Sequence, residues 1–161
     1  MFKFLKKKDG KDTFNAFAKG TVKKLDAVPD PVFDQKMMGD GYAIELKEGK
    51  IYAPVDGDVT LVFPTGHAFG ITSDRGVEIL IHIGIDTVEL EGEGFNSKVK
   101  QGDRVKQGDL LTEIDLDFIK SKGKATITPM IFTSGNEINL LMENEEVDKN
   151  TENLFEFKER D

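Results

Sequence analysis

The sequence predicts an all-β protein, an antiparallel β-sandwich or barrel with one or two short helices. Short runs rich in β-branched and aromatic residues alternate with turns of Gly, Asp and Pro, a spacing typical of such folds. The 16 glycines fit a chain with many turns. Helical periodicity is scarce, so a helix-rich fold class does not fit this chain.

Each predicted strand is a short extended run bounded by turn residues. The predicted strands are Thr13–Ala18, Gly20–Leu25, Tyr42–Leu46, Lys50–Ala53, Gly57–Phe63, His67–Thr72, Val77–Ile83, Val88–Leu90, Lys98–Val99, Leu110–Asp115, Ala125–Phe132 and Asn153–Phe157. A two-turn helix is predicted over 116–122, capped by Asp115 or Asp117, and a second helical turn around 138–142. The frame Ala-x-x-x-Gly-x-Val at 16–22 recurs at 53–59 and suggests a duplicated motif within the sandwich.

Length and composition predict one domain with a basic leader. The chain has 161 residues, so we expect residues 1–12 to form a flexible leader and 13–161 a single domain. The leader is solvated or lies on an anionic membrane surface through residues 1–8, where lysines flank two phenylalanines. The chain lacks cysteine, a secretory signal and any long apolar run, which favours the cytoplasm. The net charge of −8 disfavours nucleic-acid binding.

The two histidines of the chain, His67 and His82, are expected to be neighbours. They flank a polar turn cluster at 73–76, which reads as a four-residue hairpin loop. That loop would pair Thr72 with Val77 and place His67 directly opposite His82, with Cβ atoms roughly 4.5–5.5 Å apart. The same register would pair Phe69 with Leu80 on the face of the histidines. A shift by one residue would put the two histidines on different faces.

Two adjacent neutral imidazoles offer chemistry that a single histidine lacks. One can attack a phosphoryl group while the other donates a hydrogen bond to its oxygens; alternatively, the two hold a metal or pass a proton. Thr65 precedes His67 by two residues, and its hydroxyl could fix the tautomer of that ring. Taken alone, His82 would equally fit a core histidine bonded to the backbone, and His67 a surface histidine beside a turn.

Apolar and acidic side chains near the pair predict a docking surface for a partner protein. Asp30 and Asp86 are candidate acids at its rim, where they would attract a basic partner, although either could instead cap a turn. The apolar members also fit ordinary core packing. These candidates are Phe33, Phe63, Phe69, Leu80 and Val88.

Two other classes of protein fit the sequence poorly. A catalytic zinc site usually needs three protein ligands, and this chain has only two histidines and no cysteine. A carrier of lipoyl or biotinyl groups needs a lysine at the tip of a hairpin. Lys36, which precedes Met37 and Met38, lies in the wrong frame for that role.

The segments around the two histidines, together with several others along the chain, resemble the glucose-family enzyme IIA of the bacterial sugar phosphotransferase system. The resemblance covers roughly residues 15–157 and is most specific around the two histidines. The matching segments are Val28–Phe33, Met38–Ile44, Ala53–Gly57, Phe63–Phe69, Gly76–Val88, Gly92–Phe95, Val99–Asp103 and Thr128–Pro129. Phe17 replaces the expected first Ala-Pro, and the acidic tail after Glu143 matches poorly.

The resemblance implies a phosphocarrier with a phosphohistidine. It implies that His82 accepts a phosphoryl group from the phosphocarrier protein HPr and passes it to the IIB domain of a sugar permease. His67 would stabilise the phosphate and Thr65 would support His67, while Asp30 and Asp86 would meet basic residues of HPr. It implies no required cofactor, although zinc bound by His67 and His82 at an interface is open. Also open are a purely regulatory binding module of the same fold, its targets, the sugar, the permease and the oligomeric state.

Overall fold

The structure, a computed structural model, describes residues 12–159 and consists mainly of antiparallel strands. The strands are β1 Ala18–Lys23, β2 Gly41–Tyr52, β3 Gly57–Val62, β4 Ala68–Ser73, β5 Glu78–His82, β6 Phe95–Ser97, β7 Arg104–Val105, β8 Leu110–Ile114, β9 Ile127–Phe132, β10 Ile138–Leu140, β11 Glu146–Val147 and β12 Phe155–Phe157. The helices are α1 Pro31–Asp34, α2 Leu116–Ser121 and two 3₁₀ turns at Leu25–Ala27 and Thr87–Leu90. The predicted all-β class is therefore confirmed.

Ten of the strands join one curled sheet in the part of the chain that the structure describes. Its main path runs β11-β1-β2-β9-β5-β4-β3-β7, and β8 attaches to both β2 and β6. β10 and β12 form a separate two-stranded sheet. β5, which ends at His82, and β4, which begins directly after His67, thus lie inside the sheet, where neighbours on both sides fix their positions.

Two apolar clusters lie on alternate positions of the strands. The larger core contains Phe69 and Ile81, whereas Ala68 and Leu80 belong to a second cluster. We call the second one the site-side cluster; its buried members are Leu25, Val28, Phe33, Ala43, Ala68, Leu80, Ile85, Ile127 and Ile131. The split follows the period of two in a strand, where successive side chains point to opposite faces.

The predicted register of the β4–β5 hairpin is wrong by one residue. Ala68, not His67, lies opposite His82, and Phe69 lies opposite Ile81 rather than Leu80. The connecting loop has three residues, because the Ser73 N–H donates to the Val77 carbonyl at 2.8 Å. Gly76 closes this loop with φ of +88°, the left-handed residue that three-residue hairpin loops require.

Several other predicted elements differ from the structure. Residues 13–17, predicted as a strand with Ala18, lie outside the strands, and β1 begins only at Ala18. Residues 88–90 form a 3₁₀ turn and residues 98–99 lie outside the strands, whereas 138–140 are a strand rather than a helical turn. β2 is one strand through Gly49, because its first part pairs with β9 and its last part with β8. The short helix α1 was not located in the sequence. α2 was predicted, and the Asp115 carboxylate caps it by accepting from the Phe118 N–H at 3.0 Å.

The leader predicted at residues 1–12 lies outside the described residues, apart from Asp12. The Asp12 carboxylate accepts a hydrogen bond from the Ser73 hydroxyl at the end of β4. Asn15 and Glu152 form an isolated β-bridge, which ties the start of the described chain to a segment near its end. Among residues 12–159, no helix has the length and apolar character needed to cross a bilayer.

The hydroxyl of Tyr42 is buried and has no hydrogen-bond partner among the described residues. A buried polar group without a partner costs free energy that an apolar replacement of the same shape avoids. We therefore expect Tyr42→Phe to raise the free energy of unfolding by about 1 kcal/mol, measured by denaturant titration. Tyr52→Phe, at a partly exposed ring, is the control and should be nearly neutral. A Tyr42→Phe variant less stable than the parent would contradict the expectation.

Candidate active site

The rings of His67 and His82 are neighbours. Their centroids are 5.0 Å apart and their planes are nearly perpendicular, at 78°. His82 is the last residue of β5, and His67 immediately precedes β4. The adjacency expected from the sequence is therefore present, although the register from which it was derived is not.

His67 reaches His82 because it lies in a bend before β4 and not in the strand itself. Strand alternation does not apply to a bend residue, so its ring is not forced to the face opposite His82. The His67 ring instead meets Phe63, with centroids 5.1 Å apart, and Phe63 packs against the site-side cluster. The His67 carbonyl accepts from the Ile83 N–H at 2.7 Å, which fixes the bend against the end of β5.

One hydrogen bond defines the chemistry of the His82 ring. Its Nδ1 lies 2.8 Å from the carbonyl oxygen of Gly84. A carbonyl only accepts hydrogen bonds, so Nδ1 carries the proton and donates. In the neutral ring the lone pair is consequently on Nε2. The other side of the ring packs on Phe33, with centroids 5.1 Å apart, and Phe33 is buried in α1.

His67 is held by Thr65 and is kept neutral. The Thr65 hydroxyl lies 2.6 Å from Nδ1 of His67, as expected for a residue that fixes its tautomer. The His67 residue is 2% exposed. Burial, together with repulsion from a charged His82, lowers the pKa of His67 to about 4. The ring is therefore uncharged at neutral pH.

Opposing effects act on the pKa of His82, whereas both effects on His67 lower its pKa. Burial lowers its pKa below the ordinary value, while the Gly84 carbonyl and the carboxylates of Asp30 and Asp86 act in the opposite direction. The ring is neutral at pH 7, because burial outweighs these opposing effects. A positive charge that developed on the ring during a reaction would meet one carbonyl and two carboxylates, which would stabilise it.

The two predicted rim acids lie at structured turns near His82. Asp30 is the N-cap of α1 and accepts from the Val32 N–H at 2.9 Å with its carboxylate. Asp86 has a left-handed backbone, with φ of +60°, just before the 3₁₀ turn at Thr87–Leu90. Asp30 therefore caps a turn, as the alternative interpretation allowed, whereas the Asp86 side chain makes no cap hydrogen bond. Both nevertheless act on the pKa of His82, so both are close enough to affect the site.

The predicted apolar docking residues divide into three groups. Val88 is 52% exposed and stands beside Asp86. Phe33, Phe63 and Leu80 belong to or pack on the site-side cluster, next to the histidines. Phe69 is fully buried in the larger core, so its assignment to a docking surface is wrong in this structure. The physical reason is the one-residue register error, which reverses the face assigned to Phe69.

Sequence reasoning missed several residues around the site. Val32, Met37 and Met38 are exposed apolar side chains in and after α1. The gap between two predicted strands gave no signal for this helix beyond the Asp-Pro pair at 30–31, which is a helix start signal. The sequence also gave no role to the hydroxyls of Thr87 and Thr128, which are buried close to Gly84.

Comparison with known proteins identifies the family. Residues 12–138 match the model of the family described as phosphoenolpyruvate-dependent sugar phosphotransferase system, EIIA 1. The chain belongs to this EIIA family. Among solved structures, it is similar to the glucose permease IIA from Mycoplasma capricolum, with a TM-score of 0.78 and 42% sequence identity. The match covers 86% of this chain and 95% of that one. The protein is thus a component of the sugar phosphotransferase system, as the sequence resemblance implied.

The EIIA site offers few ligands to a metal. The Nδ1 atom of His67 contacts Thr65 and that of His82 contacts Gly84, so only the two Nε2 atoms remain as possible ligands to a metal. Within residues 12–159, no cluster of three or more histidine or carboxylate side chains could hold a metal ion. Zinc is usually bound by four ligands in tetrahedral geometry, and these two nitrogens supply half of that number. His67 and His82 could therefore hold zinc only with ligands from a partner.

The lowered pKa of His67 predicts a pH-dependent contribution to stability. Its pKa is about 4 in the folded EIIA chain and ordinarily 6.5, so the unfolded chain binds more protons between these values. The contribution is complete above pH 6.5 and is lost as the pH falls towards 4. We expect wild type to lose stability relative to His67→Gln over this range. Parallel unfolding curves at several pH values check this, and a constant difference would contradict it.

Proposed function

We propose that His82 is the phosphoryl acceptor of this phosphocarrier, taking the group from phospho-HPr and passing it to the IIB domain of a sugar permease. The observation that supports this most is the bond from His82 Nδ1 to the Gly84 carbonyl. It leaves the lone pair of Nε2 free, on a ring held beside a second neutral imidazole. Membership of the EIIA family supplies the reaction class.

The proposed step exchanges one bond to phosphorus for another. The lone pair of Nε2 attacks the phosphorus atom, the bond from phosphorus to the donor breaks, and the leaving atom keeps its electron pair. The His82 proton stays on Nδ1, so the phosphorylated ring gains positive charge. The Gly84 carbonyl, Asp30 and Asp86 stabilise that charge, which is the effect that they have on the His82 pKa.

His67 is proposed to stabilise the phosphoryl oxygens. If the Thr65 hydroxyl donates to Nδ1, the neutral His67 ring carries its own proton on Nε2 and can donate it to an anion. The low pKa keeps His67 from acting as a competing cation or acid near neutral pH. Thr65 therefore serves as a positioning residue for His67.

HPr and the IIB domain are proposed to dock on the same surface around the histidines. Its acidic members are Asp30 and Asp86, and its exposed apolar member is Val88. Phe63 is half-buried, and Phe33 and Leu80 are buried in the site-side cluster next to the histidines. A surface of this kind suits a partner that presents basic side chains beside its own reactive group. A cytoplasmic location follows from these partners. Contact of residues 1–8 with a membrane, and zinc at a partner interface, stay predictions.

The test of the acceptor is direct labelling. The chain is incubated with phospho-HPr, and the modified residue is mapped by mass spectrometry under conditions that preserve phosphohistidine. We expect label on His82 alone. Label on His67 would reject the assignment of roles. A folded protein that binds HPr but takes no label would reject phosphotransfer and favour the regulatory module instead.

The acidic rim predicts a salt-dependent transfer rate. Attraction between exposed charges is screened over about 8–10 Å at physiological ionic strength, so added salt should slow association with HPr. We expect Asp30→Asn and Asp86→Asn, combined, to slow transfer at low salt and to flatten the salt dependence. Asparagine keeps the cap at position 30 and tolerates the left-handed backbone at 86.

The control for the rim is Glu156→Gln, at an exposed carboxylate in β12 of the separate two-stranded sheet. It removes one negative charge away from β4 and β5 and should leave the salt dependence unchanged. Transfer by wild type at the same rate in low and high salt would count against steering by Asp30 and Asp86.

A further inference from the structure

A pair of buried threonine hydroxyls holds the peptide group between Ile83 and Gly84 from both sides. The Thr87 hydroxyl donates to the Ile83 carbonyl at 2.6 Å, and the Gly84 N–H donates to the Thr128 hydroxyl at 3.2 Å. Thr87 and Thr128 are both fully buried. The two polar groups of this peptide are therefore satisfied by side chains and not by a neighbouring strand.

The Thr128 hydroxyl accepts from the Gly84 N–H and also makes a second contact. It donates its proton to the Thr126 carbonyl at 3.1 Å. A hydroxyl has a single proton, so its lone pairs are what remain for the Gly84 N–H. Thr128 thus links the backbone of β9 to the turn after β5, and its hydroxyl cannot rotate without breaking one of the two bonds.

The next peptide group, between Gly84 and Ile85, orients the His82 ring. Its carbonyl accepts from His82 Nδ1 at 2.8 Å, and its N–H donates to the Ala125 carbonyl at 3.1 Å. The Gly84 carbonyl can hold the ring in one tautomer only if the turn itself is fixed. Two consecutive peptide groups, each bonded at both ends, provide that rigidity.

We infer that Thr87 and Thr128 are positioning residues that fix the Gly84 turn and, through its carbonyl, the orientation and tautomer of His82. The inference rests on the proposed function for its effect on transfer, but its structural part concerns the ring alone. Groups that orient a reactive ring through an intermediate contact typically change its performance roughly 10- to 100-fold when removed. Neither threonine touches the reacting atoms.

Thr87→Val and Thr128→Val test the inference, since valine keeps the shape and removes the hydroxyl. In each we expect the His82 ring to lose its single Nδ1–H tautomer, read from ¹⁵N NMR shifts of the imidazole nitrogens. We expect transfer from phospho-HPr to slow roughly tenfold or more. Thr87→Ser and Thr128→Ser retain the hydroxyl and should restore both readouts.

Thr112→Val is the matched control. Thr112 is another fully buried threonine, in β8, and its hydroxyl has only a long contact of 3.4 Å to the Glu113 carbonyl. It should leave the His82 tautomer and the transfer rate as in wild type. The inference is overturned if the two valine variants fold and keep the wild-type tautomer, or if Thr112→Val changes the tautomer to the same extent.

If the variants do not fold, a measurement on the wild-type protein still tests the inference. Hydrogen exchange of the Gly84 amide should be slow, because that proton is bonded to a buried hydroxyl. Rapid exchange would overturn the inference. The NMR and exchange readouts need no phosphoryl donor, so a failure of the proposed function, seen as absence of label on wild type, is distinguishable from a failure of the positioning role.

Discussion

His82→Ala is expected to abolish labelling of this chain by phospho-HPr. The variant removes the imidazole whose Nδ1 donates to a carbonyl and whose lone pair is therefore on Nε2. His67 is not an equivalent nucleophile when the Thr65 hydroxyl donates to its Nδ1, because the proton of the neutral ring then lies on Nε2. The expected signal is therefore absent label rather than slow labelling.

His67→Ala provides the comparison that separates the two roles. It removes a hydrogen-bond donor to the phosphoryl oxygens but leaves the acceptor, so label should still reach His82. Loss of one such donor slows a reaction roughly 100-fold. Rapid-quench labelling of both variants measures the difference, and melting curves verify that both fold. Equal and complete loss of label in both would mean that the two histidines do not have separable roles.

The sequence located the pair of histidines but not the geometry that joins them. Reading a loop as four residues rather than three shifted the register by one, which reversed the face assigned to Phe69. The error did not separate the histidines, since His67 lies in a bend where strand alternation has no force. A run such as Ser-Asp-Arg-Gly permits both loop lengths; the structure has the shorter one, in which the Ser73 N–H bonds the Val77 carbonyl and Gly76 is left-handed.

Tertiary contacts that have no local signature explain the rest of what was missed. The hydroxyls of Thr87 and Thr128 converge on one peptide from positions 41 residues apart in the chain. The hydrophobic pattern around each threonine does not distinguish it from an ordinary core threonine. By contrast, the Thr65 contact with His67 was predicted, although from a continuous strand that the structure does not have there: Thr65 lies in a turn and His67 in a bend.

Gly84→Ala is expected to damage both stability and transfer severely. Gly84 has φ of +67°, and a Cβ there would lie 2.7 Å from the Ala125 carbonyl oxygen and 2.7 Å from Cγ2 of Thr87. The left-handed backbone alone costs about 1–2 kcal/mol for a residue with a Cβ. The clash with a backbone oxygen adds to this, so we expect a loss of about 3–5 kcal/mol in the free energy of unfolding.

The effect on transfer follows from the carbonyl that Gly84 supplies. To relieve the clash, the turn must move away from Ala125, and the bond to His82 Nδ1 moves with it. Displacement of a reacting group by about 1 Å can cost roughly 100-fold in rate. We expect a loss of that size, measured with phospho-HPr under conditions where the variant is folded.

Gly76→Ala separates the cost of a left-handed backbone from the cost of the steric clash. Gly76 also has a left-handed backbone, with φ of +88°, but a Cβ there would meet nothing within 4 Å. It should therefore lose only the backbone penalty and transfer phosphate at the wild-type rate. If Gly84→Ala cost no more than Gly76→Ala in either measurement, the turn after β5 would be able to adjust without disturbing His82. The fixed carbonyl could then no longer be the feature that prepares Nε2 for attack.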